Sequence, residues 1–279
     1  MTEFYKMHGL GNDFVVFDGR GRGLVLDEIS ARAIADRRRG VGCDQVIVIE
    51  RPNSGGEAFM RIYNADGDEV EACGNAARCV ARFLMDEKHK PLVSIDTKGG
   101  LLSCQDADDG LVTVDMGKPG LAWNEIPLVR EMDTAAFPLQ VENQEFMVTA
   151  VSMGNPHCVI FTENAERVPL GKLGPQIEQH GFFPARTNVE FVQALTPARL
   201  RMRVWERGAG ITQACGTGAC AALVAACRRG LSPRAADVIL DGGVLNIAWR
   251  ADDDHVLMTG PTCLSFTGDI DLTTLEYHG

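Results

Sequence analysis

The 279-residue sequence predicts an α+β fold written twice: two pseudo-symmetric halves, each a set of short strands wrapped around one central helix. Three observations carry this. First, landmarks recur at an offset of 142 or 143 residues. Gly11-Asn12 lies over Gly154-Asn155, Gln45-Val46 over Asn188-Val189, and Ala72-Cys73-Gly74 over Ala214-Cys215-Gly216. Gly99-Gly100 lies over Gly242-Gly243, and Met116-Gly117 over Thr259-Gly260. Second, short β-prone runs bounded by Gly, Asn and Asp dominate both halves. Third, each half holds one strongly apolar helical run, CVARFLM or CAALVAAC, which strands must cover.

The elements follow in order. In the first half, FVVFDG, QVIVIE, FMRIYNA, VSIDT, GLLSCQ and LVTVDM read as strands. One helix is expected over 27–38, with basic residues in its last turn and Gly40 behind it. A second starts near Gly74 and runs to about residue 86. In the second half, FMVTAVSM, HCVIFT, NVEFVQA, LRMRVWE, DVILDG, VLNIAW and HVLMTG read as strands, with helices over 172–179 and 217–229. Pro119, Gly120 and Pro127 mark a linker near 118–126. The expected domains are 1–117, joined by the tail 264–279, and 118–263.

Composition limits the function. The net charge is −11, which argues against nucleic acid or an anionic membrane as the main partner and leaves room for a small substrate held by local donors. No run has the apolar length of a membrane-spanning helix. The start, MTEFYKMHGLGNDF, lacks a basic segment followed by an apolar one, so the expected location is the cytoplasm, with nine reduced cysteines. GRGRG at 19–23 lacks a nucleotide loop's strand-to-helix context, and Arg37-Arg38-Arg39 reads as a solvated helix end. No metal site is expected. Cys215, Cys220 and Cys227 are spaced five and seven apart, unlike paired-cysteine zinc motifs.

The chemistry points to VEACGNAARCV and TQACGTGACAA. An isolated cysteine near a helix start is ordinarily a small buried apolar residue. Cys43, Cys79, Cys104, Cys158, Cys220, Cys227 and Cys263 take that reading. Cys73 and Cys215 depart from it because they match within the repeat. A helix N-terminus lowers a thiol pKa, and its orphan N–H groups suit a carboxylate. Gly74, Asn75, Gly216 and Thr217 follow the two thiols. Two opposed acid/base groups flanking one carbon are what stereoinversion needs. The same offset pairs Asn12 with Asn155, Gln45 with Asn188 and Asn64 with Glu206. Singly, each is read as a turn or capping residue; repeated together, they predict a polar pocket. Two asymmetries stand out: Glu206-Arg207 replaces Asn64-Ala65, and His157 replaces Phe14. Arg207 suits a distal carboxylate, Glu206 an ammonium group, and His157 and Glu206 could tune the thiols.

KMHGLGNDFVV, GVGCDQV, NADGDEVEACGNAARC, MGNPHCVIF, TNVEFV and WERGAGITQACGTGACAA together resemble the diaminopimelate epimerase family, in order along nearly the whole chain. The resemblance implies two similar domains, each a barrel-like, mostly antiparallel sheet around a helix. It implies cofactor-independent epimerisation of LL-diaminopimelate to the meso form and, in many members, a homodimer. Carried over by position, it makes Cys73 and Cys215 the paired acid/base thiols and His157 and Glu206 the residues that adjust them. Asn12, Gln45, Asn64, Gly74, Asn75, Asn155, Asn188, Glu206, Arg207, Gly216 and Thr217 become contacts to a diamino dicarboxylate substrate. Cys43, Ile211 and Phe266 depart from the family's usual residues. A proline or hydroxyproline racemase would carry a CGH-type first motif, where this chain has CGN. A phenazine-type isomerase need not keep both cysteines. A non-catalytic amino-acid-binding module is the remaining alternative.

Overall fold

The structure, a computed structural model, describes every residue except Arg22, Ala72 and 274–279. The last part of the expected tail 264–279, and Ala72 of the first cysteine motif, lie outside the described residues. The chain separates into two units, Met1–Val114 with Gly260–Gly279, and Asp115–Thr259.

Unit 1 contains β1 (Thr2–Gly9), β2 (Asn12–Asp18), α1 (Glu28–Ala35), β3 (Gln45–Glu50), β4 (Ala58–Asn64), β5 (Glu69–Val70), α2 (Gly74–Lys88), β6 (Leu92–Thr97), β7 (Gly100–Asp106) and β8 (Val112–Asp115). Unit 2 contains β9 (Phe137–Val141), β10 (Gln144–Ser152), β11 (Pro156–Phe161), α3 (Leu170–Glu178), β12 (Asn188–Thr196), β13 (Arg199–Glu206), β14 (Gly210–Ile211), α4 (Gly216–Arg228), β15 (Ala235–Leu240), β16 (Gly243–Trp249) and β17 (Val256–Gly260). The last strand, β18 (Cys263–Ile270), pairs antiparallel with β1 in unit 1.

The two sheets repeat one topology. In unit 1 the neighbours run β18, β1, β2, β3, β4, β6, β7, β8, with β5 set on β4. In unit 2 they run β9, β10, β11, β12, β13, β15, β16, β17, with β14 set on β13. Two pairings are parallel in each, β2–β3 and β4–β6 in one, β11–β12 and β13–β15 in the other; the rest are antiparallel. The predicted α+β class and internal repeat are therefore both present, with a mostly antiparallel sheet in each unit.

The central helices are α2 and α4. α4 is buried at Gly216 and along the whole of 218–226, as expected of a helix apolar all round. It packs on β10, β11, β12, β13, β15 and β16. α2 is buried over its first eight residues and again at Leu84 and Met85. It ends at His89, which adopts the left-handed conformation (φ 52°). α1 and α3 lie on the other faces. α1 helps close a cluster of Phe4, Val15, Phe17, Leu26, Ile34 and Val48, and α3 one of Leu139, Ile160, Leu173, Ile177 and Phe191.

Three expectations change. The first helix is shorter than 27–38. Asp27 caps it through Ser30 N, and it stops at Ala35, where the Asp36 carboxylate accepts from the amides of Arg38 and Arg39. Arg37-Arg38-Arg39 is exposed as expected but lies in the turn beyond the helix, where the Arg37 guanidinium also binds Asp13 and Asp44. The segment 118–126 belongs to unit 2: Gly120 bridges Ser152, and Ile126 is fully buried in that unit's core.

β1, β9 and β18, and the two-residue β5 and β14, are not among the expected strands. β18 shows why: six of its eight positions are exposed and none is buried, so no period-2 pattern shows. Among the described residues, no helix is long and apolar enough to cross a membrane.

Candidate active site

Each unit presents a cysteine at the mouth of its central helix. Cys73 and Cys215 are both N-cap residues with extended backbones (φ −145°, ψ 113° and φ −119°, ψ 109°). Each carbonyl accepts the first helical bond, from Ala77 N at 2.9 Å and from Ala219 N at 3.0 Å. The thiols therefore sit where the first-turn N–H groups have no helical acceptor.

Around Cys73 the partners are amides. Its Sγ lies 3.9 Å from Asn12 Oδ1, which also accepts from Asn75 Nδ2 at 3.2 Å. Asn12 Nδ2 donates to Asp44 Oδ2 at 2.9 Å. Asp44 belongs to an ionic cluster behind the β1–β2 turn, in which Arg37 bridges Asp13 and Asp44 and Lys6 binds Asp13. Burial raises the Asp13 carboxyl, but the bonds from Arg37 and Lys6 outweigh it and bring it to about 2. Gln45 and Asn64 face each other across β3–β4, with Gln45 Nε2 donating to Asn64 Oδ1 at 2.9 Å. Gln45 Oε1 is buried without a hydrogen-bond partner among the described residues, an acceptor left for a ligand donor.

Around Cys215 a backbone amide and a hydroxyl touch the sulfur, and ionisable groups stand close by. Gly218 N donates to Cys215 Sγ at 3.4 Å, and Thr217 Oγ1 stands 3.6 Å from the same sulfur. Thr217 accepts from Asn155 Nδ2 at 3.5 Å. Asn155 Oδ1 faces His157 Nε2 at 2.9 Å, and His157 Nδ1 faces Glu190 Oε1 at 2.6 Å. His157 and Glu190 are both wholly buried. Burial pushes the Cys215 thiol up; Glu206 and Glu190 push it further, against the Thr217 and Gly218 contacts. The lowered thiol expected at a helix mouth is thus reversed here, because burial beside two carboxyl groups outweighs the helix end. Burial likewise raises Glu206, which accepts from the Thr212 hydroxyl, and raises Glu190 against the opposing effect of His157.

The structure therefore gathers Cys73, Asn12 and Asn75 in one group, Gln45 with Asn64 in another, and Cys215, Thr217, Asn155 and His157 in a third. Gly74 and Gly216 open the two helices. Asn188 acts partly as a bracket: its Nδ2 donates to Pro156 O at 2.9 Å and its Oδ1 accepts from Arg207 N at 2.9 Å. That bracket fixes the turn carrying Glu206 and Arg207. The Arg207 guanidinium is exposed and donates to Ala185 O at 3.1 Å. Glu178 of α3 supports the same turn through Gly208 N and Trp205 Nε1.

Sequence reasoning missed Glu190 and Glu178. Glu190 left one signal, an acid inside the apolar run NVEFV that lies over Ile47 in the repeat. Among the departures from the family pattern, Cys43 is buried and its thiol is pushed up to about 12 by that burial, while Ile211 and Phe266 are exposed. Among the described residues, no group of three or more His, Cys, Asp or Glu could hold a metal ion.

A family model described as diaminopimelate epimerase matches residues 4–122 and 149–264. The chain belongs to the diaminopimelate epimerase family. It is 53% identical over 276 residues to the diaminopimelate epimerase of Rhodospirillum centenum, covering 99% of this chain and 94% of that one. It is 50% identical over 275 residues to that of Acidiphilium cryptum, covering 98% and 97%. Membership makes the chain an isomerase. The fold is also that of more distant proteins. A probable proline racemase from Agrobacterium radiobacter superposes with a TM-score of 0.70 at 15% identity, covering 98% of this chain and 93% of that one. A phenazine biosynthesis protein from Bacillus anthracis does so with a TM-score of 0.65 at 13% identity, covering 96% and 98%.

Proposed function

We propose that the protein interconverts LL-2,6-diaminopimelate and meso-diaminopimelate by a two-base reaction in which Cys73 and Cys215 are the bases, with no cofactor. The supporting observation is the pair of N-cap cysteines, matched in the repeat of a chain from the diaminopimelate epimerase family. One thiolate removes the α-proton and becomes a thiol. The opposite thiol delivers its proton to the other face and becomes a thiolate. Protons balance, and the enzyme is left with the two roles exchanged, ready for the reverse turnover. First-turn amides at Gly74–Asn75 and Gly216–Thr217 hold the α-carboxylate and take up charge as it develops. Asn12, Gln45, Asn64, Asn155 and Asn188 supply directional contacts. Arg207 receives the distal carboxylate, and Glu206 the ammonium group. His157 and Glu206 adjust the thiols. The asymmetry between an amide-lined half and an ionisable half suits a substrate with one reacting and one anchored end.

The protein acts in the cytoplasm, as a homodimer. The exposed faces of Leu264 and Phe266 on β18 are an apolar surface for a second copy, testable by light scattering of wild type against Phe266→Glu.

The test of the reaction uses reduced protein in D2O with LL-diaminopimelate, without pyridoxal phosphate or added metal, followed by NMR. Meso product carrying one new α-deuteron is expected. L-proline and trans-4-hydroxy-L-proline serve as controls; exchange with either, and none with diaminopimelate, would overturn the assignment.

A further inference from the structure

The repeat isolates three linked exchanges behind the second thiol. His157, Glu190 and Gly218 of unit 2 stand at the positions of Phe14, Ile47 and Ala76 of unit 1. All six are buried. His157 and Glu190 lie on the paired parallel strands β11 and β12, as Phe14 and Ile47 lie on β2 and β3. The third exchange makes room for the second: a Cβ at Gly218 would stand 2.9 Å from Glu190 Oε1 and 3.2 Å from Cys215 Sγ. The carboxyl group therefore packs on the turn that carries the thiol. Unit 1 builds the same strands and helix with an apolar set, so the fold does not call for a buried acid and base. Replacing a buried pair by packed apolar groups is often neutral or stabilising.

Proton positions follow from the contacts. Asn155 presents its carbonyl oxygen to His157 Nε2, while its amide donates to Thr217. His157 Nε2 must then carry a hydrogen. The line from Nδ1 to Glu190 Oε1 holds one further proton, shared by histidine and acid, and the pair is neutral with the proton at either end. Glu190 Oε2 is buried without a hydrogen-bond partner among the described residues.

We propose that Glu190 is a positioning residue for the epimerase reaction: through this shared proton it fixes His157 and Asn155 beside Thr217 and keeps Cys215 in the thiol form that delivers a proton. The inference rests on the two-thiol reading above. The titratable groups that face Cys215 are Glu206 from β13, Glu190 from β12 and His157 from β11; those that face Glu190 are His157, Cys158, Cys215 and Glu206.

Glu190→Gln keeps the shape and removes the shared proton. Turnover in both directions is measured, together with the pH dependence of iodoacetamide alkylation at Cys73 and Cys215, read on separate peptides. The expected result is a fall in kcat of about tenfold or more with KM within about twofold. The Cys215 alkylation profile moves to lower pH, because the pair, though neutral overall, no longer turns a carboxyl oxygen toward the turn that carries the sulfur, and the Cys73 profile stays. A kcat within about twofold of wild type, or profiles that move together, would overturn the proposal. Should Glu190→Gln not fold, the triple variant His157→Phe, Glu190→Ile, Gly218→Ala installs the unit 1 set. A folded triple variant with a shifted Cys215 profile supports the proposal; an unfolded one, or one with the wild-type profile, refutes it. Wild type that epimerises nothing would sink the two-thiol reading, while the alkylation profiles would still judge Glu190.

Discussion

Glu178 offers a sharp test of how the scaffold holds the Glu206-Arg207 turn. This buried carboxylate at the end of α3 accepts from Trp205 Nε1 at 2.7 Å, Gly208 N at 3.0 Å and Arg186 at 3.2 Å. Glu178→Ala leaves all three donors without this acceptor. Losing the acceptor for the half-buried Trp205 N–H costs about 1–3 kcal/mol. Gly208 is exposed and can turn to water, so its loss costs about 0.5–1 kcal/mol, and the surface pair with Arg186 adds at most about 1 kcal/mol. The sum, about 1.5–5 kcal/mol, should lower Tm by roughly 3–20 °C. Glu178→Gln keeps one acceptor oxygen but sets an N–H donor against Trp205 or Gly208, so it should cost about half as much. Trp205 cannot easily find another seat, since its ring lies so close to Gly174 that a Cβ there would stand 2.5 Å away. Arg207 follows Trp205 by two residues, so KM for diaminopimelate should rise more than kcat falls in both variants. Thermal unfolding and steady-state kinetics read the two effects. Unchanged Tm in the alanine variant, or an unchanged KM with a lowered kcat, would refute this account.

Gly218→Ala alone forces a Cβ against Glu190 and Cys215; it should lower kcat by about tenfold or more, as loss of a supporting contact does, while Ala76→Gly at the matching place in unit 1 should leave kcat within about threefold. Cys73→Ala and Cys215→Ala should each abolish epimerisation in the NMR assay; full turnover by either would end the two-base model. Asp13 ionises in the folded chain down to about 2, below its unfolded value. Its stabilisation is therefore present above the unfolded carboxyl range and is lost as pH falls from about 4 to 2, by about 1 kcal/mol once solvent screening is allowed for. Acid unfolding of Asp13→Asn against wild type should show the two curves converging at the low end of that range.

Much of this was legible because duplication supplies its own comparison. Cys73, read alone, is one small apolar residue among nine cysteines; its match with Cys215 marks both as helix caps. His157 was visible because Phe14 stands in its place. Glu190 was harder to see: in a strand buried on both faces, alternation gives no reason to look at one polar residue. The use of the Asn188 side chain was also hidden. An amide suits a ligand or a turn equally well, and only the bonds to Pro156 O and Arg207 N show that it braces the site wall. The upward push on Cys215 could not be read either, since it depends on burial and on carboxyl groups that are distant in sequence.

The final strand carries the last prediction. In unit 2, β9 pairs with β10 across a tight hairpin. In unit 1 the matching edge of β1 is filled by β18, from the far end of the chain, paired from Thr2↔Ile270 to His8↔Cys263. Unit 1 therefore cannot complete its sheet without residues 263–270, whereas every strand from β9 to β16 lies inside 115–259. The join is close: a Cβ at Gly268 would stand 2.8 Å from the Phe4 ring, which packs edge-on against Phe266, and Ile270 and Leu272 cover the α1 cluster. Gly268→Val should thus cost about 1–3 kcal/mol by overpacking, and the cost should fall on one unit. Hydrogen exchange resolved by peptide is the assay. Faster exchange is expected in β1, β2 and α1, with unit 2 helix α4 keeping its wild-type protection. Equal acceleration in both units would mean that they unfold as one body and that β18 braces the whole chain instead of the half it pairs with.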